Sequence, residues 1–105
     1  MDTLVDRQAE DVVLLDLTGL ATWADHFIIA TVDNVRQANA IIAALQETVS
    51  AHGARAFHPE GEPASGWVLI DVGNGAIVHL FTAETRAYYN LEGLWNRAQE
   101  VVRIQ

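Results

Sequence analysis

Trp67-Val68-Leu69-Ile70-Asp71-Val72-Gly73-Asn74-Gly75-Ala76-Ile77-Val78-His79-Leu80-Phe81 is the stretch whose reading decides the fold. Two β-rich runs, 67 to 72 and 76 to 81, flank Gly73-Asn74-Gly75, whose residues readily take the positive φ that a tight hairpin demands. With residue 72 facing 76, residue 70 faces 78 and 68 faces 80. Val68, Ile70, Val72, Ala76, Val78 and Leu80 then share one purely aliphatic face. The other face carries Trp67, Leu69, Asp71, Ile77, His79 and Phe81, with Trp67 opposite Phe81 and Asp71 diagonal to His79. A face sealed in a core does not readily take Asp and His, so this one is expected to be at least partly open, with the composition of a partner-binding surface. The alternative is a covering helix with Asp71 and His79 paired beneath it. A one-residue slip in the turn would exchange the two faces.

Outward from the hairpin, residues 3 to 9 predict a short helix, Val12 to Leu17 a strand ended by Thr18-Gly19, and His26 to Val32 a second strand. Asn34 with Gln37 has the pattern of a capping box. The helix behind it carries Ala38, Ile41, Ile42, Leu45 and Val49 at three- and four-residue spacing, with Gly53 as its stop. Residues 54 to 58 predict a short strand and 59 to 66 a loop rich in Gly and Pro. After Thr82, a suitable N-cap, Ala83 to Tyr89 is expected to be helical, and Leu91 to Val102 a further helical stretch. This order predicts an α/β fold with a mixed five-stranded sheet flanked by helices, in one domain spanning residues 1–105.

Composition narrows the function. The chain has 105 residues, half of them apolar, with 14 acidic residues against six arginines and no lysine, a formal net charge of −8. Such a chain repels phosphate backbones, so no direct nucleic-acid site is expected, and a basic protein is the better partner. No run is long and apolar enough for a membrane, and the acidic N-terminus lacks the features of a signal or transit peptide, which predicts a cytoplasmic protein. There is no cysteine, and the four histidines, His26, His52, His58 and His79, have no metal-site spacing. Phosphate-binding loops and nucleophile elbows are missing, so neither a cofactor nor a metal is expected. Asp16, Asp25 and Asp71 lie on or beside strands, where a carboxylate can act as a general base but more commonly caps a turn. An enzyme built on Asp25, Asp71 and His79 is therefore the competing reading to a binding module.

Three stretches in the first half, Ala9 to Leu17, Ala24 to Thr31 and Arg36 to Ile41, carry a family pattern. So do Glu60-Gly61, Trp67 to Asp71, Val78-His79-Leu80-Phe81, Arg86 and Tyr89-Asn90-Leu91-Glu92-Gly93-Leu94-Trp95. The chain resembles the ribosomal silencing factor (Iojap-like) family over about residues 9 to 95. The resemblance implies a nucleotidyltransferase-like fold without need of that catalysis. It also implies docking on the large ribosomal subunit through its protein numbered fourteen, obstruction of small-subunit joining when nutrients are scarce, and homodimers. The partner-binding residues expected on this basis and on the strand parity are Trp67, Leu69, Asp71, His79, Phe81, Tyr89, Leu91 and Trp95. The chain departs from the family pattern at Val32-Asp33-Asn34-Val35, where Asn34 stands for a capping serine, in a longer hairpin turn, and in a shorter N-terminal helix.

Overall fold

The computed structural model describes residues 2–51, 57–73 and 75–104. Its elements run α1 (Asp2–Asp6), β1 (Glu10–Asp16), β2 (His26–Thr31), α2 (Val35–Ala51), β3 (His58–Glu60), a 3-10 turn at Pro63–Ser65, β4 (Trp67–Gly73), β5 (Ala76–Phe81), α3 (Ala83–Tyr89), α4 (Leu91–Leu94) and β6 (Gln99–Ile104). The strands form one mixed sheet in the order β3-β4-β5-β2-β1-β6, with β2 and β5 parallel and the other neighbours antiparallel.

The sheet has six strands where five are expected, and the extra one corrects the reading of residues 91 to 102. Helix α4 ends at Leu94, and a turn in which Ala98 N donates to Trp95 O (3.0 Å) leads into β6. Gly93 weakens that helix. The β-branched Val101, Val102 and Ile104 favour an extended chain, for which β1 supplies an antiparallel ladder with one bulge, at Val101. The predicted strand at 54 to 58 appears as His58–Glu60; residues 54–56, like Gly53, His52 and Asn74, lie outside the described residues.

The hairpin register is as read from the turn, with Trp67 facing Phe81, Val68 facing Leu80 and Ile70 facing Val78. Only the tip differs. Gly73, at φ 88°, pairs with Ala76, so that Val72 is bulged out instead of opposing residue 76. Gly75 at φ 78° latches the tip to β2, its carbonyl accepting from Asp25 N (2.8 Å) and His26 N (3.1 Å).

One face of the sheet is closed by α2 and α1. Leu4, Ala38, Ile41 and Leu45 pack there on Val12, Ala30, Val68, Ile70, Val78 and Leu80. Asn34 caps α2 as expected, its Oδ1 accepting from Gln37 N (2.8 Å), while Gln37 Oε1 reaches one residue beyond the N-cap of a standard capping box and accepts from Asp33 N (2.7 Å). Gln37 Nε2 also donates to the carbonyls of Arg7 (3.1 Å) and Gln8 (3.0 Å), so a single amide joins the start of α2 to the end of α1.

Candidate partner-binding face

The opposite face is built differently. Val13 and Leu15 of β1, Phe27 and Ile29 of β2, and Ile77 and Phe81 of β5 form its floor. Among the described residues no long helix covers it. The β1–β2 loop, with Leu17 and Ala24, and the α3–α4 segment close over parts of it, and Trp67, Leu69, Leu91, Trp95 and Ala98 pack on it while only partly buried.

Asn90 sets the geometry of the covering segment. It ends α3 in the left-handed region (φ 47°) and caps α4 by accepting from Gly93 N through its side chain (3.2 Å). Thr82 starts α3 as predicted, accepting from Thr85 N (3.3 Å), and the Thr85 hydroxyl donates to the Gly66 carbonyl at the entrance to β4. The two helices are held down by Arg86, which is 9 % exposed. Its Nε donates to Glu92 (2.7 Å), and its Nη1 donates to the Asp11 carbonyl (2.8 Å) and Thr31 Oγ1 (2.8 Å). Arg103 of β6 completes the network through Asp11 (2.5 Å) and Glu92 (3.0 Å). Burial of Glu92 would raise its pKa, but the bonds to Arg86 and Arg103 outweigh it and hold the carboxyl below its ordinary value.

Eight rings meet on this face. Trp67 stacks on Phe81 (centroids 5.1 Å) and touches Tyr89 (4.8 Å), which meets Tyr88 edge to face (5.0 Å). Phe27 lies 4.4 Å from the His79 ring and 5.7 Å from Trp95, and Trp23 packs against Phe27 (5.5 Å) and Trp95 (6.2 Å). The floor of this cluster is closed and its roof is open: His79 and Phe81 are 2 % and 0 % exposed, whereas Tyr88, Trp23 and Tyr89 are 80, 59 and 50 % exposed.

The eight residues expected at the site divide accordingly. Trp67, Leu69, Tyr89, Leu91 and Trp95 share the face and reach its surface at least in part. His79 and Phe81 lie beneath them, which corrects the expectation of an open face at those two positions: Trp67 of the hairpin and, from outside it, Phe27 and Tyr89 pack around them. Asp71 stays at the hairpin tip with its carboxylate accepting from Gly73 N (2.9 Å), so the Asp71–His79 pair of the covered-face alternative does not form. His79 Nδ1 accepts instead from Trp67 Nε1 (3.2 Å). Burial pushes the imidazole pKa down to about 4.

Asp25, Asp71 and His79 do not converge. Asp25 is an exposed residue against Gly75, and Asp71 closes a turn. Asp16 likewise accepts from Thr18 N (2.9 Å). Among the described residues no group of three or more His, Asp and Glu side chains is placed to hold a metal, and no described helix is long and apolar enough to cross a membrane.

Trp23 and Tyr88 are surface residues of this face that the strand parity does not find. Trp23 sits in a loop, where no periodicity applies. For Tyr88 the signal is its place beside Tyr89 on the predicted helix Ala83 to Tyr89.

A family model described as "Ribosomal silencing factor during starvation" matches residues 1–105. Proteins named ribosomal silencing factor from Halalkalibacterium halodurans and Bacillus subtilis are 40 % and 37 % identical over 96 and 93 residues, covering 91 % and 89 % of this chain and 81 % and 78 % of theirs. A crystal structure of a Chromobacterium violaceum protein superposes with a TM-score of 0.83 at 32 % identity, covering 90 % of this chain and 78 % of that one.

Proposed function

This chain belongs to the ribosomal silencing factor family, and from that premise we propose that it represses translation by docking on a basic protein of the large ribosomal subunit, the one numbered fourteen. Docking there blocks joining of the small subunit during nutrient limitation. The observation that carries this reading is the contiguous, half-open aromatic face of Trp23, Trp67, Tyr88, Tyr89 and Trp95 over Phe27 and His79. Large aromatic side chains that are rigid on one side and exposed on the other are the usual anchors of a protein interface. The charge of −8 favours a basic partner and gives long-range steering toward it. It also disfavours direct contact with ribosomal RNA, so the docking site is placed on protein. This role needs no catalysis and no cofactor, and it belongs in the cytoplasm. For the homodimer implied by family resemblance, the support is the outer edge of β6, where Val101, Val102 and Ile104 are exposed on a terminal strand of the sheet.

The test is co-sedimentation with purified large subunits in a sucrose gradient, followed by addition of small subunits. Wild-type protein is expected to travel with large subunits and to reduce the joined fraction. Trp67→Glu is expected to lose the association, a change of roughly thirtyfold or more in affinity. The on-rate is expected to fall as salt is raised, because screening shortens the reach of the protein's charge. Failure of wild-type protein to sediment with large subunits overturns the reading.

A further inference from the structure

His79 is a buried titratable side chain in the floor of the aromatic face, and the docking role does not by itself call for it. Its ring is 2 % exposed and sits in the floor between Phe27 and Phe81 (centroids 4.4 and 6.2 Å). Indole Nε1–H can only donate, so the 3.2 Å bond from Trp67 requires an unprotonated Nδ1 and places the ring proton on Nε2. That Nε2 is buried and has no hydrogen-bond partner. A buried donor left unsatisfied is destabilising, and an apolar residue of similar size at position 79 would remove the penalty. A group held at such a cost to stability is a candidate for work other than folding. Among the described residues the one polar contact of the ring is that to Trp67, the half-buried residue at the boundary between floor and surface.

We propose that His79 is a positioning residue for docking: its Nδ1 fixes the rotamer of the Trp67 indole and so presents that ring to the partner in one orientation. A tryptophan held only by stacking on Phe81 and Tyr89 retains freedom to slide and flip within the plane of contact. A single hydrogen bond to the indole edge removes it, and ordering Trp67 before the encounter avoids that entropy loss on binding. The inference rests on the docking reading above, but the bond itself is testable without the partner.

The experiment compares His79→Leu with His79→Asn. The Oδ1 of Asn lies close to where Nδ1 of His does, so Asn can still accept from the indole, whereas Leu fills the space without an acceptor. The readouts are thermal melting, the Trp67 indole ¹H–¹⁵N resonance (assigned by its loss in Trp67→Phe), and affinity for large subunits. His79→Leu is expected to melt no lower than wild type, to shift the indole resonance upfield with faster exchange, and to bind about tenfold more weakly. His79→Asn is expected to recover the resonance and most of the affinity. An indole resonance unchanged in His79→Leu overturns the proposal, as does a freed indole with undiminished affinity. A loss of affinity that only tracks a lower melting temperature, without rescue by Asn, assigns His79 to the core and overturns it too. Wild-type protein that fails to bind large subunits overturns the docking reading, and with it the purpose assigned to the bond, while the resonance still decides whether the bond exists.

Discussion

The two faces of this sheet are made by the same strands, in alternation, yet they are closed in opposite ways. Under α2 the contacts are aliphatic, supplied by one 17-residue amphipathic helix, and Leu4, Ile41, Val68, Ile70, Val78 and Leu80 are almost wholly out of water. On the other face the floor is equally dry, but the cover is a loop and two helices of seven and four residues. Short pieces cannot bury their own side chains, so aromatic rings are left with one side packed and one side wet. The comparison teaches that openness is a property of layers here, not of whole faces. A strand position can belong to the core while its cross-strand neighbour belongs to the surface, as Phe81 and Trp67 do.

The strongest way to break that comparison is a charge under α2. Ile70→Glu places an unpaired carboxylate among aliphatic side chains and is expected to unfold the protein, a loss beyond about 4 kcal/mol, with no cooperative melt above room temperature. A folded, docking-competent Ile70→Glu would mean that the helix-covered face is not the core.

Next in size is the device that holds the short helices down. Arg86→Ala leaves Asp11 and Glu92 to Arg103 alone and removes the donor to Thr31 and the Asp11 carbonyl. Breaking a network of this burial is expected to reduce stability by about 3 kcal/mol. In hydrogen exchange, the amides of 86 to 95 should open more easily than those of α2; equal protection of the two segments would show that stacking alone holds the cover.

How much of this was legible in the sequence follows from the same physics. Strand alternation and the Gly-rich turn were enough for the hairpin register, for the aliphatic face, and for Trp67 opposite Phe81, because period-2 patterning and turn chemistry act locally. They could not tell that Phe81 and His79 are covered, since Phe27 and Tyr89, on segments outside the pair, join Trp67 in enclosing them. Asp71 and His79 together suggested an open or ion-paired face; what the sequence hid was an imidazole whose Nδ1 accepts from an indole. The tail failed for another reason. Leu91, Leu94 and Trp95 have helical spacing, but one turn of helix is stable only with a partner, and β1 offered residues 99 to 104 a ladder.

A pH titration sharpens the description of the floor. His79 takes its proton near pH 6.5 when unfolded and near 4 when folded. Between those values the unfolded chain binds more protons, so stability falls as pH is lowered, by up to about 1.4 kcal/mol per pH unit and about 2 kcal/mol by pH 5. The ring neighbours Phe27, Trp67 and Phe81 and the strand partners Leu69 and Ile29 carry no charge that would offset the effect. Glu92 begins to lose its ion pairs only below its ordinary value of 4.5, so denaturant melts between pH 7 and 5 isolate the histidine. His79→Leu should flatten this slope; an unchanged slope would place the titrating group elsewhere.

The smallest expected change in stability belongs to the outermost ring. Tyr88 is 80 % exposed, on a helix, touching only Tyr89 among the described aromatic rings (5.0 Å). Tyr88→Glu removes little buried area and keeps a good helix former, so melting should move by no more than about 0.5 kcal/mol. If the roof of the aromatic face is where the partner sits, the same substitution puts a charge into a desolvated contact and should weaken docking about tenfold or more. Measured beside Trp67→Glu, it maps the extent of the surface. A large loss from both means that the partner spans the face from the β4 edge across α3. A loss from Trp67→Glu alone confines docking to the Trp67 end and leaves Tyr88 as ordinary exposed surface. No loss from either separates aromatic exposure from docking altogether, and the contact must then be sought away from this face.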